Sequence, residues 1–69
     1  MFGYKKFSFK KGDHIITEYD EDRVVVGVVF ERYRRRHENL YQVWTVIDGT
    51  FTIFYETEDH LEPLAGKAK

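Results

Sequence analysis

The stretch LYQVWTVIDGTFTIFYE, residues 40–56, decides the fold. Asp48-Gly49 is the two-residue signal for a type I′ turn, whose central residues both take φ > 0, a conformation that Asp and Gly tolerate. The arms on either side, Leu40 to Ile47 and Thr50 to Glu56, are rich in β-branched and aromatic residues, so the segment reads as a β-hairpin. A two-residue turn sets the register, with Ile47 opposite Thr50, Val46 opposite Phe51, Trp44 opposite Ile53 and Gln42 opposite Tyr55. Alternation then divides the hairpin into two faces. One carries Leu40, Trp44, Val46, Phe51, Ile53 and Tyr55; the other carries Tyr41, Val43, Thr45, Thr52, Phe54 and Glu56. The first is expected to be the core. Tyr41, Val43 and Phe54 on the second are expected to form an apolar surface strip, open to another strand or chain.

Upstream, Val24 to Tyr33 is a ten-residue run of valines and aromatics broken only by Gly27, Glu31 and Arg32, and it predicts the longest strand. Gly27 inside it marks a bulge, a bend or a close backbone approach, which a small barrel needs in order to curl. His14 to Tyr19, entered through Lys11-Gly12-Asp13, predicts the first barrel strand, and the alternation of Phe7 and Phe9 with Ser8 and Lys10 predicts a short N-terminal extension strand. Tyr19 to Arg23 reads as a charged loop, and Arg34 to Asn39 as a loop or the fraying ends of two strands. Downstream, Thr57 to His60 predicts a short turn or one turn of 3₁₀ helix. Leu61 to Leu64 predicts a brief edge strand in which Pro63 is tolerated, and residues 65–69 a disordered tail.

Composition agrees with this pattern. The seven valines, four isoleucines and five threonines far outnumber the alanines, leucines and methionine together, so helix formers are nearly absent. With 69 residues the chain has room for one domain, residues 1–64 with a core at 11–64, and its six Phe, five Tyr and single Trp must supply the bulk. There are no cysteines, which excludes disulfides, thiolate zinc sites and cysteine nucleophiles. The lysine-punctuated N-terminus has no apolar signal region and no stretch long enough to span a bilayer, so a soluble cytoplasmic protein is expected. Net charge is −1, against the uniformly basic surface of a general nucleic-acid binder. The charges are segregated all the same: Glu18, Asp20, Glu21 and Asp22 early, Glu56, Glu58, Asp59 and Glu62 late, and a basic block at Arg32, Arg34, Arg35 and Arg36.

Lys11-Gly12-Asp13, Gly27-Val28-Val29, Tyr41-Gln42-Val43-Trp44, Asp48-Gly49-Thr50 and His60-Leu61-Glu62-Pro63-Leu64 follow one another in an order that resembles small SH3-like barrel proteins of tailed bacteriophages. The resemblance covers roughly residues 11–64 and implies an all-β, SH3-like barrel of about five strands. It also implies a non-catalytic accessory factor acting on a host or virion protein, and supplies no catalytic group. The chain departs from the peptide-binding signalling domains of this fold, lacking their aromatic and acidic run after the first strand and their tryptophan pair.

The chemical inventory points the same way. Ser8 is the only serine and lies far in sequence from the histidines, so no hydrolytic triad is expected. Asp13-His14 and Asp59-His60 put a carboxylate beside an imidazole, but neighbours in a strand face opposite ways, and no loop has EF-hand spacing; no metal and no cofactor are expected. Tyr19, Tyr33, Tyr41, Trp44 and Tyr55 could line an aromatic cage for a methylated lysine, yet a core this short of aliphatics needs the rings. What remains is the arginine block with its flanking tyrosines. Guanidinium forks suit acidic protein patches or phosphates, and basic residues interleaved with rings suit single-stranded nucleic acid. The expected binding residues are therefore Arg32, Tyr33, Arg34, Arg35 and Arg36 with the strip of Tyr41, Val43 and Phe54. A protein partner, including a second copy in a homodimer, is the leading expectation and RNA or DNA the alternative.

Overall fold

A computed structural model describes residues 6–64. The expected tail at 65–69 lies outside these residues. The chain forms five antiparallel strands and one 3₁₀ turn: β1 (His14–Asp20), β2 (Arg23–Arg35), β3 (Glu38–Ile47), β4 (Thr50–Thr57), η1 (Glu58–His60) and β5 (Glu62–Pro63). They make one sheet in the order β4-β3-β2-β1-β5. The sheet curls until rings of strands that do not pair come together, Tyr19 of β1 meeting Phe54 of β4 at 6.0 Å. This order, with a 3₁₀ turn leading into a last strand that returns to pair with the first, is that of a small SH3-like barrel. No helix among the described residues is long and apolar enough to cross a membrane.

The β3–β4 hairpin has the register set by its turn. Ile47 pairs with Thr50, Val46 with Phe51, Trp44 with Ile53 and Gln42 with Tyr55. Asp48 and Gly49 have φ of 53° and 78°, the two positive angles of a type I′ turn. β5 sits at the sheet edge, pairing Ile15 with Pro63, where a residue without an N–H breaks no ladder.

Which face is the core is the reverse of the sequence expectation. Tyr41 and Val43 are fully buried and Phe54 is half-buried against them, whereas Val46, Phe51, Ile53 and Tyr55 are exposed. The cause lies outside the hairpin. Phe7, Phe9 and Leu61 are carried by the flanking segments to the Tyr41 side and complete a core with Ile15 and Val29. Phe7 and Phe9 place their rings edge-on to Tyr41 at 5.8 and 5.4 Å.

That inner side also requires small residues. A Cβ on Gly27 would stand 2.5 Å from Val43 Cγ1 and 3.0 Å from the Trp44 carbonyl oxygen, so Gly27 marks a close approach of β2 to β3. The strand's bulge is elsewhere. Between Val29 and Glu31 the β2–β3 register shifts, and the extra residue is Phe30. Before the bulge Val25, Gly27 and Val29 face inward; after it Arg32 pairs with buried Tyr41, and Glu31 and Tyr33 fall on the outer side.

One further expectation is corrected and one is decided. Residues 7–10 form no strand, and the N–H groups of residues 8–10 are bound by side chains and not by a neighbouring strand: Ser8 and Phe9 donate to Tyr41 Oη, Ser8 also to Glu58, and Lys10 to Asp13. Of the two readings of Arg34 to Asn39, the structure shows strand ends and no loop. Strand pairing continues to Arg35 opposite Glu38, leaving the two-residue turn Arg36-His37 with Arg36 at φ 56°.

Candidate functional site

The outer face of β2, β3 and β4 is the most distinctive surface of the molecule. Its centre is Trp44, which pairs with Val28 on one side and Ile53 on the other. Phe30, pushed outward by the bulge, stacks on the indole with centroids 3.6 Å apart and planes 13° from parallel, and Phe51 meets it edge-on at 5.2 Å. Tyr33 and Tyr55 approach each other at 6.1 Å one row further along. Val24, Val26, Val46 and Ile53 fill in around the rings, and all are exposed.

One polar thread crosses this surface. The Trp44 Nε1–H donates to Gln42 Oε1 at 2.6 Å, and the Gln42 amide donates to Tyr55 Oη at 2.8 Å and Tyr33 Oη at 3.4 Å. The thread satisfies the indole N–H and fixes the ring azimuths, so the aromatic surface is preorganised. The pKa of Tyr33 is raised, first by loss of hydration and then by nearby Tyr55 and Glu31, so its hydroxyl stays neutral.

Opposite charges stand at the two ends of the face. Beyond Tyr33 lie Arg35 and Arg36 at the β2–β3 turn; beyond Val24 lie Asp20, Glu21 and Asp22 at the β1–β2 turn, with Asp48 of the β3–β4 turn on the same end. Arg23 ties this acidic end together, its guanidinium 2.9 Å from Asp48 and 3.5 Å from Asp20. The hydrogen bond and charge of Asp48 raise the Arg23 pKa further.

The structure divides the arginine block. Arg32 turns to the inner side, where it donates to the Phe9 carbonyl at 3.1 Å and lies 4.7 Å from the Phe7 ring centre. Arg34 lies over the same ring at 4.8 Å. Both guanidiniums therefore hold the N-terminal segment onto the barrel. Arg35 and Arg36 stay exposed at the hairpin end, with Tyr33 on the outer face. The strip of Tyr41, Val43 and Phe54 is not an exposed surface, since Tyr41 and Val43 are buried in the inner core and Phe54 is half-buried against it. Trp44, Phe51, Ile53 and Tyr55, assigned by sequence to the core, are the residues that the structure exposes or half-exposes, and Phe30 joins them only through the bulge.

The inner side has its own polar centre, at Glu58 of η1. The carboxylate accepts from Tyr41 Oη at 2.5 Å, from the Asn39 amide at 3.0 Å, and from the Ser8 N–H and hydroxyl at 3.1 and 2.9 Å. Burial works to raise the Glu58 pKa, but the donors Tyr41, Asn39 and Ser8 together outweigh it and hold the carboxyl at about 2. Burial, reinforced by that carboxylate, pushes the Tyr41 phenol up to about 12. The cluster pins residues 6–9, η1 and β3 to one another. The late acids otherwise gather in a groove where Glu18, Glu56, Asp59, His60 and Glu62 meet Ile16, Thr17 and Val24. Among the described residues no group of three or more His, Asp or Glu side chains is placed to hold a metal ion.

No family model matches the chain, and no curated protein or solved structure matches it. The likeness to phage barrel proteins rests on the residues of the sequence alone.

Proposed function

We propose that the chain is a small, non-catalytic protein-binding module whose contact surface is the outer face of β2, β3 and β4. The observation that carries this reading is the contiguous cluster of Phe30, Trp44, Phe51, Ile53 and Tyr55, held apolar side outward by a core that lies on the opposite side of the sheet. A soluble monomer rarely presents a patch larger than roughly 300–600 Å², and aromatic anchors inside a charged rim are the make-up of a protein interface. The aliphatic share of the face, Val24, Val26, Val46 and Ile53, favours a protein over a nucleic acid, whose binding surfaces interleave rings with cations.

Site-specific photocrosslinking in the native host tests this. Benzoylphenylalanine at Phe51 is expected to crosslink to protein, and the same probe at Lys10, exposed in the N-terminal segment, is not. Equal yields at both positions, or none at Phe51, contradict the reading.

Nucleic acid is the second reading, favoured by one observation: Tyr33 and Tyr55 line a shallow recess with Arg34, Arg35 and Leu40. Rings beside a guanidinium can stack a base and hold its phosphate. This reading predicts amide shifts across Tyr33–Leu40 when short RNA or DNA is added at low salt, with binding that weakens steeply as salt rises.

A further inference from the structure

We propose that the outer face binds a second copy of the same chain, the two sheets packing face to face about a two-fold axis that lies between them and runs across the strands. The inference rests on reading this face as a protein-contact surface and names its partner.

Size is the first argument. Eight apolar residues of the face are more than two-fifths exposed. At ordinary side-chain areas they offer on the order of 800 Å², what each partner contributes to a standard interface. Stacked sheets pack about 10 Å apart when inner side chains interdigitate, and a face of rings and branched side chains can interdigitate in that way.

Charge is the second. The 13 residues of β2 separate the two ends of the face by roughly 40 Å at ~3.3 Å per residue. At one end Arg35 and Arg36 are exposed and make no ion pair with a described residue; at the other, Glu21 and Asp22 make none either, while Arg23 is engaged by Asp20 and Asp48. A two-fold axis across the strands reverses their direction and lays each copy's arginine end over the other's acidic end. An axis along the strands would stack like charges. The face is thus complementary to itself, the condition for an isologous dimer.

Sedimentation velocity on the full chain, from about 1 µM to about 500 µM, covers the weak, micromolar end of the range over which interfaces of this size associate. The expected result is a monomer–dimer equilibrium that Phe51→Glu weakens at least tenfold, with an unchanged far-UV spectrum, and that added salt also weakens. The double variants R35E/R36E and E21K/D22K are each expected to self-associate about tenfold more weakly, yet to pair with each other in an equimolar mixture. A wild-type chain that stays monomeric throughout, or a dimer indifferent to Phe51→Glu, overturns the proposal. A dimer tightened by salt overturns the axis. If the chain is monomeric while the Phe51 probe crosslinks to a different protein, the second copy is excluded and the protein-binding reading stands; without such crosslinks both fall.

Discussion

Tyr41 and Trp44 stand three residues apart on one strand and on opposite faces of the sheet. Tyr41 is buried under Phe7 and Phe9 with its hydroxyl bound on three sides, while Trp44 lies on the outer surface, stacked on Phe30 and tied to Gln42. Both are large rings with one polar atom, and residue type alone does not separate their fates. The difference is what covers them. The inner face receives Phe7, Phe9 and Leu61 from segments outside the sheet; the outer face receives nothing from residues 6–64. Bulk on a strand becomes core only where another part of the chain closes over it.

The contrast can be broken most severely from inside. Tyr41→Ala removes two edge-on ring contacts and the anchor for Ser8 and Phe9, and is expected to cost about 3–5 kcal/mol, the usual range for a large buried ring, in urea denaturation. Gly27→Val should come next. Its Cβ enters the space of Val43 Cγ1, and overpacking of this kind costs about 1–3 kcal/mol in the same measurement.

Glu58→Gln sharpens the comparison through pH. It leaves the donors of Ser8 and Asn39 facing a neutral amide, and a loss of about 1–3 kcal/mol is expected at neutral pH. The wild-type carboxyl titrates at about 2 when folded against 4.5 as its ordinary value, so the folded state favours the ionised form. Its stabilising contribution is complete above pH 4.5 and is lost as pH falls toward 2. Tyr41 works at the other limit. Its phenol is raised from 10.0 to about 12, so the neutral form is favoured and the contribution present below pH 10 is lost as pH rises through 12. Thermal unfolding across pH should show both limbs in the wild type, and Glu58→Gln should flatten the acid limb.

The hairpin register, the 3₁₀ turn and the edge position of Pro63 were legible in the sequence because each depends on local chemistry: an Asp-Gly pair, a short polar link, a residue without an N–H. The choice of face was not legible from the hairpin, since both faces carry rings and branched residues. A signal lay further away, in the pairing of Gly27 with Thr45, which marks the crowded side of the sheet, but reading it needs the β2–β3 register. The bulge hid that register. A single extra residue at Phe30 reverses the inward and outward sense of everything after it. The four arginines of residues 32–36 thus divide into Arg32 and Arg34, which grip Phe7, and Arg35 and Arg36, which face solvent. The arginine block looks uniform in sequence and is half structural in the fold.

The smallest expected effect belongs to the outer face. Ile53→Ser, measured where the chain is monomeric, should change stability by about 0.5 kcal/mol or less, as for other surface substitutions.

The central claim is that this face is covered by a second copy of the chain, and the most direct measurement is the concentration dependence of the ¹H–¹⁵N spectrum between about 10 µM and about 500 µM, where an interface at the weak, micromolar end of this size class fills. The account predicts shifts at the Trp44 indole N–H and at Val46, Phe51, Ile53 and Tyr55, with Ile15, Val29 and Val43 unmoved. Spectra that superpose at all concentrations, or shifts confined to residues 6–10 and η1, would contradict it.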